Sequence, residues 1–315
     1  MPADRTDTWL AIVNPASGGS RARTGWPAIE RALRAAGVAL DVVQTSGEQD
    51  GKYIARRAAH EGRRRLLAAG GDGSVNDVLN GIMDAGLAPD DVVTLAPVPL
   101  GTGNDWARSL GIRRDPRRIA AAIASSRTIL HDVGVIDFPA APDASRRRHW
   151  FINVAGAGFD AHVIGRLPRP VPSALAYLGG ALRGLATYRS PAFRITTDQA
   201  VVEDRLLLAF VANAQYCGNR MHVAPTAQPD DGLFDVIAIR EVALGAVLMK
   251  LAKLYRGTIL GDPVVRHWRA AAVCVDASPP VMVQADGQLL GMTPARFSIR
   301  RQAVRVVVGE ARRSG

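Results

Sequence analysis

The chain is poor in cysteine and lysine. Cys217 and Cys274 are its only cysteines. Two isolated thiols exclude a disulfide framework and form no metal motif, which fits a reducing compartment. Lysine occurs only at positions 52, 250 and 253 among 39 basic residues. No Gly-x-x-x-x-Gly-Lys-Ser/Thr occurs, so a P-loop is excluded. No Gly-x-Gly-x-x-Gly opens the first helix, which argues against a dinucleotide Rossmann site. Aromatic residues make up 5% of the chain. With no aromatic-studded basic stretch and no zinc-finger spacing, nucleic acid is disfavoured as a partner. No uncharged apolar run reaches the length of a membrane span. Met1 to Asp7 is polar and carries no apolar signal region, so the expected location is cytoplasmic.

Charge and glycine-rich turns are abundant. The net charge is +10, carried mostly by arginine. Such a surface is either simply solvated or attracted to anionic headgroups. The 315 residues are long for one average domain and suggest two. The most informative stretch is Gly70-Gly71-Asp72-Gly73-Ser74-Val75-Asn76-Asp77. Leu66 to Ala69 leads in as an apolar run, and Val75, Val78, Leu79, Ile82 and Met83 lead out with helical spacing. Strand, glycine turn and helix in that order bring backbone N–H groups and the positive end of a helix towards a phosphate.

Trp9 to Val13 reads as a strand that ends in Asn14-Pro15-Ala16-Ser17-Gly18-Gly19. Trp26, Ile29, Leu33 and Ala36 follow at helical spacing, with Gly37 as the stop. Val38 to Gln44 is the second strand, before Thr45-Ser46-Gly47, and Tyr53 to His60 is helical. Val92 to Leu100 is the fourth strand, ending in Gly101-Thr102-Gly103-Asn104-Asp105, and a helix covers Pro116 to Ser125. Repetition of strand, loop and helix predicts a doubly wound parallel sheet. Its glycine loops and Thr45 fall at strand carboxyl ends, where ligands of such sheets bind. A lysine-free phosphate site there relies on backbone N–H groups, the hydroxyls of Ser17, Thr45, Ser74 and Thr102, and a metal ion.

From Ile129 onwards strands follow strands: Ile129 to Phe138, Trp150 to Gly156, Phe193 to Thr197, Arg205 to Asn213, Leu233 to Ile239, Ala271 to Val275, Val281 to Ala285 and Phe297 to Val308. This predicts an antiparallel, sandwich-like β domain. The domains expected are 1–130 and 131–315, and whether the C-terminal tail folds back on the first is left open. Pro172 to Tyr188 reads as helical, with an apolar stripe at Leu175, Leu178, Leu182 and Leu185, and so does Val242 to Tyr255. Arg146 to Arg148 reads as a solvated hairpin tip. Val281 to Ala285, Asp286-Gly287 and Gln288 to Leu290 read as a tight hairpin.

Together these residues resemble the diacylglycerol kinase catalytic family. Asn14-Pro15-x-Ser17-Gly18, Gly70-Gly71-Asp72-Gly73-Ser74-x-Asn76 and Pro99-x-Gly101-Thr102-Gly103-Asn104-Asp105 match its three signatures. Gly158-Phe159-Asp160-Ala161, Asn213 with Gly218, Pro225 with Ala227 and Asp231-Gly232, and Asp286-Gly287 follow in the family's order. The resemblance implies an NAD-kinase-like α/β domain followed by a β-rich lipid domain, with ATP bound between them. It implies ATP-dependent phosphorylation of a lipid hydroxyl, such as that of diacylglycerol or a sphingoid lipid, in phospholipid metabolism. By the same resemblance Asn14, Pro15, Ser17, Gly18, Thr45, Gly70, Gly71, Asp72, Gly73, Ser74, Asn76 and Thr102 hold the nucleotide. Asp72 lies near the phosphates and Mg2+. A divalent ion in the second domain takes the Gln228 carbonyl, the Asp231 carboxylate and the Leu233 carbonyl, a hard-oxygen set. The partners implied are a lipid and the anionic inner membrane face, with a homodimer left open.

Two positions depart from the family pattern. Ser74 replaces threonine and keeps the hydroxyl. Gln288 stands where relatives carry the glutamate expected to accept the proton, and an amide cannot take that role. Asp286 or Asp72 then becomes the candidate base. The alternatives are a catalytically weak or inactive nucleotide- and lipid-binding homologue, and a kinase for a non-lipid acceptor such as NAD.

Overall fold

The computed structural model describes residues 7–139, 148–166, 179, 184, 188–242 and 244–309. The expected leucine stripe at 175–185 and Arg146 and Arg147 lie outside these residues. The chain divides into two units, Met1–Asp132 with Arg301–Gly315, and Val133–Arg300. In the first, strands and helices alternate as β1 (Trp9–Val13), α1 (Arg21–Ala35), β2 (Leu40–Gln44), α2 (Asp50–His60), β3 (Arg65–Gly70), α3 (Asp72–Asp84) and β4 (Thr94–Pro99), followed by α4 (Asp105–Ser109) and α5 (Pro116–Ala124).

The strands are parallel in the order β2-β1-β3-β4. β1 lies between its sequence successor β2 and the later β3, so the winding reverses beside it. Right-handed crossovers then place α1 and α2 on opposite faces of the sheet. Accordingly α1 packs with α5, and α2 with α3. The central strands are apolar throughout, as a sheet covered on both sides requires: Leu66, Leu67, Ala68 and Ala69 are wholly buried. α4 was not anticipated from the sequence. It is short, and Trp106 anchors it by donating its indole N–H to Nε2 of buried His131 (3.3 Å). Nδ1 of His131 contacts the Asp132 carbonyl oxygen (2.6 Å). Burial pushes this imidazole down to about 4, so it is neutral at pH 7.

The chain continues through β5 (Thr128–Asp137), β6 (Arg148–Phe151), β7 (Val154–Gly158), α6 (Phe159–Ile164), β8 (Ala192–Thr197), β9 (Val201–Ala212), β10 (Tyr216–Cys217), β11 (Met221–His222), β12 (Phe234–Arg240), α7 (Leu244–Arg256), β13 (Val265–Ala270), β14 (Ala272–Ser278), β15 (Met282–Ala285), β16 (Gln288–Met292) and β17 (Ala295–Val307). β9 is the corner strand of the second unit. Its first residues pair with β8, and its later ones with β7 and β12. One layer therefore runs β9-β8-β14-β17 and the other β16-β15-β7-β9-β12-β13. Their inner residues share one core that includes Phe151, Phe193, Phe234, Phe297, Val236 and Val283. This antiparallel sandwich follows the parallel unit, as the change of rhythm predicts.

Trp150 to Gly156, expected as one strand, is two. β6 and β7 are separated at Ile152–Asn153, where the backbone N–H groups turn towards a side-chain carboxylate. β13 was missed because Val-Arg-His-Trp-Arg-Ala does not alternate cleanly in hydropathy.

Phe151 is fully buried, stacked on Phe234 at 5.6 Å and edge-on to Phe297 at 6.3 Å. Phe151→Ala should lower unfolding free energy in denaturant titration by about 3–5 kcal/mol. A loss under about 1 kcal/mol would show that these rings do not form the core of the second unit.

Candidate active site

In the first unit the expected nucleotide-binding residues gather at the carboxyl ends of β1, β2, β3 and β4. The Asn14 side-chain amide donates to Ser74 Oγ (3.1 Å), and its carbonyl oxygen accepts from the Ala16 N–H (3.1 Å). The N–H groups of Leu100 and Gly101 both donate to the Gly70 carbonyl, at 2.8 and 3.0 Å. The β3 and β4 loops touch because neither carries a side chain at the crossing. A Cβ on Gly101 would fall 2.2 Å from Gly71 Cα, and one on Gly70 would fall 2.2 Å from Ser74 Oγ. Asn14, Thr45, Gly47, Gly51, Ser74 and Asp77 line a shallow hollow beside these loops. A larger hollow of about 290 Å³ lies at the opposite, amino ends of the strands, between Arg65, Thr94 and Arg305. It contains none of the loop residues, and ligands of wound sheets sit at the carboxyl ends.

Asp72 occupies the first turn of α3. Its Oδ1 accepts the Trp106 N–H at 3.2 Å. Desolvation raises its pKa, opposed by that bond and by neighbouring backbone N–H groups. Trp106 thus fixes Asp72 through its backbone while its indole is fixed by His131.

Arginines that the sequence reading did not single out surround the third loop. Arg21 donates from Nε to the Gly18 carbonyl (2.7 Å) and from Nη2 to Thr102 Oγ1 (3.0 Å). Arg114 donates to the carbonyls of Gly101 and Thr102. Burial and the neighbouring charges of Arg21 and Arg108 lower the Arg114 pKa. The loop therefore carries a local excess of positive charge, the condition that attracts an anion. Their isolated positions in the sequence carried no motif.

In the second unit, Asp286-Gly287 makes the tight turn between β15 and β16, with φ of 49° and 83°. The Asp286 carboxylate accepts the N–H groups of Ile152 (3.0 Å), Asn153 (3.0 Å) and Val154 (3.2 Å). Gln288 opens β16 on the far side of the turn. Gln284, buried in β15, accepts the Gly287 N–H (3.0 Å) and donates to Asp160 Oδ2 (2.9 Å). Asp160, on α6, is itself buried against Gly156, where a Cβ would fall 1.9 Å from Oδ2. Desolvation pushes its carboxyl up to about 6, against the lowering effect of Gln284. Sequence reasoning gave Asp160 no role, although it lies within Gly-Phe-Asp-Ala.

The expected metal residues lie on a separate loop of the same unit. Asp231 Oδ1 accepts the Leu233 N–H (2.9 Å), and its Oδ2 meets the Arg269 guanidinium. Among the described residues no cluster of three or more histidine, cysteine, aspartate or glutamate side chains is placed to hold a metal. Nor is any helix there long and apolar enough to cross a membrane.

Comparison with known proteins follows the two units. The family model for the diacylglycerol kinase catalytic domain matches residues 8–136. The model for the YegS C-terminal NAD kinase beta sandwich-like domain matches residues 153–308. The diacylglycerol kinase of Bacillus subtilis is 28% identical over 302 residues, which cover 94% of this chain and 95% of that protein. A diacylglycerol kinase structure from Bacillus anthracis superposes with a TM-score of 0.72 at 21% identity, covering 96% of this chain and 97% of the other. The yeast NADH kinase in complex with NADH shares the fold more distantly, with a TM-score of 0.54 at 10% identity over 98% of this chain and 88% of the other.

The raised Asp160 pKa has a stability consequence. A folded-state pKa of about 6 against an unfolded value of 3.8 means that the folded chain holds the proton more tightly. Stability therefore falls as pH rises between the two values and stays lower above pH 6. Asp160→Asn keeps an acceptor for Gln284 and has no charge to bury. Chemical denaturation should find it more stable than wild type at pH 7.5 by about 2 kcal/mol. The difference should vanish near pH 4. An equal offset at both pH values would show that Asp160 carries no desolvation strain.

Proposed function

From the diacylglycerol kinase catalytic-domain family, to which this chain belongs, we infer an ATP-dependent lipid kinase that transfers the γ-phosphate to a lipid hydroxyl. The observation that carries this reading is the meeting of the β1, β3 and β4 loops beside a winding reversal, within reach of Arg21 and Arg114. Phosphoryl transfer depends mainly on positioning and on neutralising charge, with a loose transition state. The first unit supplies both without a lysine. The amino end of α3 offers partial positive charge to phosphates. Arg21 and Arg114, already tied to Gly18, Gly101 and Thr102, offer full charges with little further ordering. Asn14, Ser17, Thr45, Ser74 and Thr102 offer side-chain oxygens and amide groups, while Pro15, Gly18, Gly70, Gly71, Gly73 and Asn76 shape the cradle around them.

ATP arrives with Mg2+, which neutralises charge on the phosphate oxygens. Asp72 would be the carboxylate that holds that ion. Its hydrogen bond to the Trp106 N–H keeps one oxygen occupied and leaves the other to face Gly103. Asp286 acts as a positioning residue in this reading. Three backbone donors already occupy its carboxylate, so its contribution is to hold the turn that presents Gln288. The Gln288 amide orients the acceptor hydroxyl and takes no proton. Absence of a strong base there is tolerable because general-base help accounts for only about 10²- to 10⁴-fold of a rate. The acceptor is diacylglycerol or a related lipid. The basic surface draws the protein to anionic membranes, an attraction that added salt weakens.

The test is transfer of labelled γ-phosphate from ATP–Mg2+ to a panel of lipids in mixed micelles. Wild type should yield a labelled lipid. Asp72→Asn should lower kcat by about 100-fold or more without lowering the melting temperature. ATP binding without labelled lipid would move the assignment to a binding module, and labelled NAD with unlabelled lipids would move it to a dinucleotide kinase. Vesicle sedimentation checks the membrane contact: at low salt, binding should favour anionic over neutral vesicles, and equal binding to both removes electrostatic docking.

A further inference from the structure

β12 and β13 are antiparallel, with Asp235 directly opposite Arg269 and Ile237 opposite His267. Alternation puts Asp235, Arg269 and His267 on one face. The Asp235 side chain is fully buried there. Its Oδ1 accepts the Thr226 hydroxyl and lies 2.7 Å from His267 Nε2. Its Oδ2 accepts no hydrogen bond and faces Arg269 Nε at 3.7 Å. The outer end of the same guanidinium meets Asp231 Oδ2, across the turn at Gly232. One cation therefore serves two carboxylates, one on each side of that turn.

The buried Asp235 carboxylate and the enclosed Oδ2 of half-buried Asp231 call for a compensating positive charge. A divalent ion could supply it, and the Gln228, Asp231 and Leu233 oxygens are the donors expected to recruit one. Arg269 already lies against Asp231. Mg2+ holds its ligands at about 2.1 Å in near-octahedral order, and would press a double charge against a guanidinium that cannot lose its proton. The donor set does not fit a divalent ion while Arg269 is in place. We propose that Arg269 is the resident cation of this loop, closing the turn between Thr226 and Asp235 without metal. Any divalent requirement of activity then belongs to the nucleotide alone.

The test uses the full-length protein without nucleotide. Purified in the absence of chelator, wild type should carry no stoichiometric divalent ion. Its melting temperature should be the same in EDTA as in millimolar Mg2+ or Ca2+. Arg269→Met should melt lower by roughly 5–10 °C. Partial restoration of that variant by Mg2+ or Ca2+ would show that the vacated oxygens accept an ion, and a drop without restoration equally supports the arginine's role. One retained divalent ion per wild-type chain, or a wild type that melts earlier in EDTA and recovers with Mg2+, overturns the proposal. So does an Arg269→Met protein that melts with wild type. Should Arg269→Met fail to fold, the chelator comparison on wild type decides.

Discussion

The carboxyl edge of the parallel sheet depends on how closely Gly71 and Gly101 approach. A Cβ at Gly101 would have no space there, and two N–H groups of the β4 loop bond the Gly70 carbonyl at the end of β3. The polar side chains around these loops are referred to that contact. Asn14 reaches over to Ser74 from one side, and Arg21 and Arg114 pin Thr102 from the other. Asp72 is held through Trp106, which is held in turn by a neutral, buried histidine. The constraint is one of shape, and it holds backbone and guanidinium groups in fixed positions around the loops.

The second unit solves a different problem, the burial of carboxylates. Asp286 is satisfied by three backbone donors and fastens a turn. Asp235 and Asp231 share a guanidinium. Asp160 accepts the Gln284 amide and, among the described residues, pairs with no cation, so desolvation prevails and its pKa rises. The same residue type thus appears as a fastener, as half of an ion pair and as a strained acid, according to what the neighbouring strands present. Strained groups of this kind concentrate where chemistry is done.

Legibility in the sequence follows the distance over which information is carried. The glycine loops, the strands before them and the switch to antiparallel pairing are local patterns a few residues long, and they were read correctly. So was the Asp286-Gly287 turn. The break between β6 and β7 was not legible, because its cause is a carboxylate more than a hundred residues away. The Arg269–Asp235 pair depends on cross-strand register, and β13 was itself unread. Arg21 and Arg114 looked like two of many arginines until the fold brought them to one loop. Asp160 stood within a recognised motif, but its strain arises from burial, against Gly156 among others, and is only partly relieved by Gln284, and both residues lie on other elements.

The edge of β4 is completed late. Arg305 and Val306 of β17 pair parallel with Thr94 and Leu95, and Val308 and Gly309 bond back to Arg127 and Leu110. Val304, Val306 and Val307 are buried there. During synthesis, all of Val133–Arg300 must be made before that neighbour leaves the ribosome. Until then β4 presents an unpaired edge, the feature through which nascent chains pair with one another. Cutting the gene after Asp132 would make that exposure permanent, so the first unit is not a module that can be expressed by simple truncation.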